Sequence, residues 1–67
     1  MKINKTQLEN FKKICEKNNE FVPFFTDEDL QENIENVIAA QGYWSGVSFR
    51  YYLDGDNWRT EKKQLGI

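Results

Sequence analysis

The spacing of apolar residues in this chain changes from a helical period to a strand period, and the change falls at Gly42. Before Gly42, apolar residues recur at every third or fourth position, as on the buried face of an amphipathic helix. From Gly46 to Leu53 they alternate with polar residues, as in a half-buried strand. The sequence therefore predicts an α+β fold in a single domain, residues 1–67, with two helices packed on a C-terminal antiparallel hairpin.

The first predicted helix begins near Asn4, whose side chain can cap the first backbone amides. Thr6 with Glu9 offers a competing capping box two residues later. The Asn18-Asn19 pair ends the helix, because Asn tolerates the left-handed conformation that follows many helix C-termini. One stripe of the helix is apolar and faces the core: Leu8, Phe11, Ile14 and Cys15.

The second predicted helix has the clearest start and stop signals. Thr26 is its N-cap, and Phe25 and Leu30 are spaced to form a hydrophobic staple across the first turn. Three acidic residues at positions 27–29 complement the helix dipole, and Gly42 is the glycine that closes the helix. The apolar stripe consists of Leu30, Ile34, Val37 and Ile38.

Two further segments complete the predicted fold. Residues 21–25 hold four apolar side chains around Pro23, and we expect them to lie across the core as a linker or as a third, edge strand. In the hairpin, residues 54–57 form the turn, and the polar return strand from Trp58 to about Lys63 lies at a sheet edge. The apolar face of the first hairpin strand consists of Val47, Phe49, Tyr51 and Leu53.

The chain contains one Cys and no His, which removes most catalytic and metal-binding chemistry. An internal disulfide, the common zinc sites and the most frequent general base are all excluded. Cys15 lies on the core stripe and is expected to be an unreactive buried residue. Asp54 and Asp56 resemble the start of a calcium-binding loop, but Trp58 and Arg59 stand where such a loop needs an oxygen ligand and a glycine. The two aspartates are instead typical of a hairpin turn. We expect no enzymatic activity, no cofactor and no metal.

The small size of the chain bears on its partners. One core in 67 residues supplies about 3–5 kcal/mol, so further stabilisation must come from its aromatic residues or from association, including with a second copy as a homodimer. No apolar run is long enough to span a membrane, and the first residues do not resemble a signal peptide, so we expect a cytoplasmic protein. Abundant Asn, Lys, Ile and Phe are typical of AT-rich coding sequences, as in many bacteria and their phages.

The charged residues are distributed unevenly along the chain. Residues 18–49 hold six acidic and no basic residues, residues 1–17 hold five Lys and two Glu, and residues 50–67 hold four basic and three acidic residues. The second helix therefore presents an acidic outer face, composed of Asp27, Glu28, Glu32 and Glu35. This face either solvates the helix or steers a basic partner surface towards it.

Trp44 and Tyr52 are the aromatic residues that we expect to be partly exposed, as interface hot spots or as caps on the core edge. The leading hypothesis is a small protein-binding module or inhibitor that docks its acidic helix and these aromatics on a basic surface of a larger protein. If that surface is a nucleic-acid channel, the chain acts as a nucleic-acid mimic.

The alternative hypothesis is a domain that binds single-stranded nucleic acid. Tyr52, flanked by Arg50 and Arg59, resembles a small stacking platform, and the lysines of the first helix add positive charge. The net charge of −2 argues against nucleic acid as a partner.

Overall fold

The computed structural model describes residues 2–64 and has the predicted α+β architecture. Its elements are α1 (Lys5–Lys17), α2 (Asp27–Gln41), β1 (Trp44–Ser45), β2 (Phe49–Asp54) and β3 (Asn57–Lys62). The strands form one antiparallel sheet in the order β1-β2-β3, so β3 lies at an edge as predicted. Residues 65–67 lie outside the described part.

Local side-chain chemistry fixes the ends of α1 where the sequence predicts them. The Asn4 side chain accepts a hydrogen bond from the Gln7 backbone amide at 2.8 Å, and the Gln7 side chain accepts one from the Asn4 amide at 2.8 Å. The capping box is therefore Asn4 with Gln7, and Thr6 with Glu9 is not used. Asn18 is the C-cap, and Asn19 has a positive φ of 54°, as expected for an Asn that closes a helix.

The ends of α2 also follow the sequence, with one exception. The Thr26 side chain accepts a hydrogen bond from the Asp29 amide at 3.1 Å, and Gly42 adopts the left-handed conformation with φ of 89°. The predicted staple of Phe25 with Leu30 is wrong, because Leu30 is buried whereas the Phe25 side chain is fully exposed. Capping by Thr26 and the dipole are therefore sufficient to start this helix without a staple.

The third strand of the sheet is β1, not residues 21–25. The latter segment forms no strand. Instead, Trp44 pairs with Tyr51 and Ser45 pairs with Arg50, and the Gly46 amide donates to the Phe49 carbonyl at 2.9 Å. This tight reversal turns the chain directly onto β2, so the predicted strand from Gly46 begins only at Phe49.

Four aromatic rings form the centre of the core. Phe11 of α1 is completely buried and contacts Trp44, Tyr51 and Trp58 edge-on, with ring centroids 5.2, 5.4 and 4.9 Å apart. Both helices pack on the face of the sheet that carries these three rings, and within residues 2–64 no element covers the other face. Val47, predicted on the apolar face, precedes β2 and is largely exposed.

Candidate protein-interaction surfaces

The acidic face of α2 forms as predicted, but only part of it faces solvent without a partner. Glu28 and Glu32 are exposed, and neither makes an ion pair within residues 2–64. Asp27 pairs with Lys12 of α1, with Nζ and Oδ1 3.0 Å apart. Both side chains of this ion pair are more than a third exposed, so the pair adds little to stability.

Glu35 has a structural role that the charge pattern did not indicate. Its carboxylate accepts hydrogen bonds from the Ile3 backbone amide at 2.8 Å and from the Gln31 side chain at 3.2 Å. These two hydrogen bonds lower the pKa of Glu35, and the one from the Ile3 amide has the larger effect. Glu35 therefore attaches the N-terminal segment to α2, and it contributes less to an outward-facing acidic surface than predicted.

Glu20 holds the loop between β1 and β2. Its carboxylate accepts hydrogen bonds from the Val47 amide at 2.7 Å and from the Tyr51 hydroxyl at 3.1 Å. Gly46 lies directly against this carboxylate, where a Cβ atom would collide with it. These partners lie 27 and 31 residues away in the chain, so no local sequence pattern indicates the contact.

Trp44 is buried, and the prediction that it is partly exposed is wrong. Only 7% of its surface is accessible. Its indole packs edge-on against Phe11, and its Nε1 donates a hydrogen bond to the Asn33 side chain of α2 at 2.8 Å. A core of this size needs the apolar area of the indole, and Asn33 satisfies the one polar atom that burial would otherwise leave unpaired. Trp44 is thus unavailable to a partner.

The exposed aromatic residues are Phe21 and Phe25, although the segment 21–25 was expected to lie across the core. Phe25 is fully exposed and Phe21 is 70% exposed, whereas Val22 and Phe24 pack against the core. Exposure alternates along the segment: Phe21, Pro23 and Phe25 are exposed, whereas Val22 and Phe24 are half-buried. The four apolar residues around Pro23 do not alternate with polar residues, so the sequence alone does not indicate which of them face the core.

Phe25 borders a groove of about 470 Å³ between α1 and the segment that precedes α2. Val22, Phe24 and Leu30 contribute apolar lining, and Lys12 and Asp27 lie at its rim. Cys15 is also in the lining but is a core residue as predicted: it is buried, and burial raises the pKa of its thiol to about 12. A thiol of this pKa is essentially unreactive near neutral pH.

Tyr52 lies on the uncovered face of the sheet within a stacked Tyr/Arg cluster. The Arg59 guanidinium lies 4.3 Å from the Tyr52 ring centroid, and the Arg50 guanidinium lies 5.5 Å from that of Tyr43. The two tyrosine rings are 5.4 Å apart. Glu61 pairs with both arginines, at 3.5 and 3.8 Å, and so offsets half of their charge.

The lysines of α1 do not join this cluster. Lys13 and Lys17 line a groove with Trp58, whose ring is on the helix side of the sheet. The two basic groups of the alternative hypothesis are therefore on opposite sides of the sheet. Tyr52 is half-buried by its own neighbours.

Within residues 2–64, no three or more Cys, Asp and Glu residues come close enough together to hold a metal ion. No described helix is both long and apolar enough to cross a bilayer. Comparison of the chain with protein-family models, with curated proteins and with solved structures found no match.

Proposed function

We propose that this chain is a small protein-binding module, or an inhibitor, that docks the acidic face of α2 and the adjacent Phe25 onto a basic surface of a larger protein. The observation that carries the proposal is the full exposure of Phe25 immediately before the acidic first turn of α2. Burying a phenylalanine side chain is worth about 1.5–3 kcal/mol, and a chain with so small a core leaves this one in water.

An exposed aromatic residue beside free carboxylates suits an interface with a basic partner. Aromatic side chains supply hot spots by entering a pocket on the partner, whereas carboxylates at the rim steer association and select the sign of the partner's charge. Phe25 would provide the first function, and Glu28 and Glu32 the second. If the basic surface is a nucleic-acid channel, the module mimics nucleic acid, as an inhibitor from a phage or another mobile element would.

The experiment captures binding proteins from a cell lysate on the immobilised chain and compares variants for one and the same captured protein. We expect E28K/E32K to weaken its binding at least about tenfold and to reduce the salt dependence. The F25S variant should weaken binding to a similar extent without changing the salt dependence, because it removes only apolar contact.

The matched control is D54K/D56K, which makes the same change in charge at the hairpin turn, where both aspartates are exposed. This control should bind the captured protein as the unmodified chain does. Equal binding by E28K/E32K and the unmodified chain would refute the proposed interface. Asp27 and Glu35 are left unchanged, because their reversal would also break the contacts with Lys12 and Ile3.

The alternative, binding of single-stranded nucleic acid, is favoured by one observation: Tyr43 and Tyr52 lie side by side on an uncovered sheet face, each with an arginine over its ring. Glu61 opposes it. A fluorescence titration with short single strands at low salt tests this alternative, and Y52A should abolish any binding. Absence of binding at low salt would eliminate it.

A further inference from the structure

Within residues 2–64, the outer edge of β3 carries unpaired backbone groups that point away from the sheet. The Lys63 amide donates to the Ser48 carbonyl at 2.9 Å, which makes 48 and 63 a hydrogen-bonded pair. Hydrogen-bonded and non-hydrogen-bonded pairs alternate along an antiparallel ladder. Residues 57, 59 and 61 therefore bond to β2, and the amides and carbonyls of Trp58, Thr60 and Lys62 point to the open edge.

Three lysines flank this edge. Lys13 and Lys17 of α1 line a groove of about 370 Å³ together with Ile14 and Trp58, and both lysines are exposed. Lys62 is the last residue of β3 and is also exposed. None of the three makes an ion pair within residues 2–64, in contrast to Lys12, Arg50 and Arg59.

The helix and the strand run in the same direction, and Lys13 and Lys17 lie beside the start of β3, in a groove with Asn57 and Trp58. Gln7 of α1 accepts a hydrogen bond from the Trp58 indole at the start of β3, and Asn10 bonds to the hairpin turn. Further along, Asn18 after the end of α1 bonds to the Tyr51 hydroxyl. Because α1 advances about 1.5 Å per residue, Lys13 and Lys17 lie about 6 Å apart along this direction, close to the spacing of alternate residues in a strand.

We propose that the edge of β3 binds an extended acidic segment of another protein by β-strand addition. The partner's main chain pairs with the outward amides and carbonyls of Trp58, Thr60 and Lys62, which supplies affinity. Its alternate side chains that face α1 are carboxylates, which meet Lys13, Lys17 and Lys62. An apolar side chain between them fits the groove floor of Ile14 and Trp58.

A second copy of this chain is a poorer occupant of the same edge. A lysine on an edge strand discourages edge-to-edge pairing, and Lys62 is in that position. Pairing two β3 strands antiparallel would bring two α1 helices alongside each other and would place Lys13 and Lys17 of each near the same residues of the other. Like charges at this distance oppose association, whereas carboxylates reverse the sign.

The experiment titrates the chain with an acetylated and amidated peptide of about seven residues that alternates Glu with Val and Thr. Binding is followed by backbone amide shifts and by hydrogen exchange. We expect the amides of Trp58, Thr60 and Lys62 to become protected from exchange. A peptide with Lys in place of Glu, and a Glu peptide N-methylated at alternate residues, should each bind at least about tenfold more weakly.

Two variants of the chain complete the test. K13Q/K17Q should weaken binding at least about tenfold, and the matched control K2Q/K5Q should not. T60P removes the central outward donor without removing a bond to β2, and Pro is tolerated at such positions of edge strands. We expect T60P to stop binding; if it does not fold, the N-methylated peptide makes the same test on the unmodified chain.

Any one of the following outcomes would overturn the proposal. Equal binding of the N-methylated and unmodified Glu peptides would show that charge alone, and not main-chain pairing, causes the binding. Equal binding of the Lys peptide, or no binding at millimolar concentration, would remove the specificity for acidic strands. Concentration-dependent protection of the same three amides without peptide would show that a second copy occupies the edge.

Discussion

The substitution of Phe11 by Ala tests whether the four-ring cluster holds this fold together. Phe11 is completely buried and contacts Trp44, Tyr51 and Trp58, which come from all three strands. Truncation of a buried Phe to Ala costs about 3–5 kcal/mol through lost transfer free energy and the remaining cavity. A single core of this size supplies about 3–5 kcal/mol in total. We therefore expect F11A to be largely unfolded at 25 °C.

The assay is urea unfolding followed by tryptophan fluorescence and, independently, by far-ultraviolet circular dichroism. F11L keeps most of the apolar volume but loses three edge-on ring pairs, so we expect a loss of about 1–2 kcal/mol and a melting temperature lower by about 4–16 °C. F25A is the matched control, because it makes the same change at a fully exposed ring and should stay within about 0.5 kcal/mol of the unmodified chain. If F11A unfolded at the same urea concentration as F25A, the cluster would not be the source of stability.

Three further predictions concern single side chains. Because burial raises the pKa of Cys15 to about 12, a thiol reagent at pH 8 should label the native chain far more slowly than the chain in urea. The pKa of Glu35 is lowered in the folded state, so the carboxylate stabilises the fold fully above its unfolded-state pKa and loses this effect as the pH falls through its folded-state pKa. In E35Q, the free energy of unfolding should lack this acid-sensitive part of its pH dependence. Gly42 has φ of 89° and open space around it, so a side chain there causes backbone strain but no collision. G42A should therefore lower the free energy of unfolding, measured by thermal melting, by about 1–2 kcal/mol, and G42N should lower it less, because Asn tolerates the left-handed conformation better.

Contacts close in sequence were predicted well. Asn4 and Thr26 cap their helices, Gly42 closes α2, and the hairpin turns at residues 55–56. In each case, a short side chain or a glycine meets backbone groups within four residues, so the amino-acid types alone specify the contact. The hydrophobic periods also located both helices and the first strand of the hairpin, and the turn residues located the polar return strand.

The errors concern residues whose environment depends on distant parts of the chain. Trp44 is buried because Phe11 and Asn33 meet it, and Phe25 is exposed because Val22 and Phe24 occupy the space above the core. Neither outcome follows from the local pattern, since an aromatic residue beside a glycine or a helix cap suits both environments. The third strand was misplaced because the two-residue pairing of β1 is too short to produce a detectable alternation.

The charge asymmetry of the sequence persists in the fold but becomes more sharply localised. Two of the six acidic residues in the segment 18–49, Glu20 and Glu35, are taken up by internal hydrogen bonds, and Asp27 pairs with Lys12. The exposed carboxylates that remain of these six lie on α2, whereas Lys13, Lys17 and Lys62 lie beside β3. Glu28 and Glu32 line a different groove from Lys13 and Lys17, and no residue lines both grooves. The two surfaces therefore act independently: E28K/E32K should leave binding of the acidic peptide unchanged, and K13Q/K17Q should leave capture through α2 unchanged.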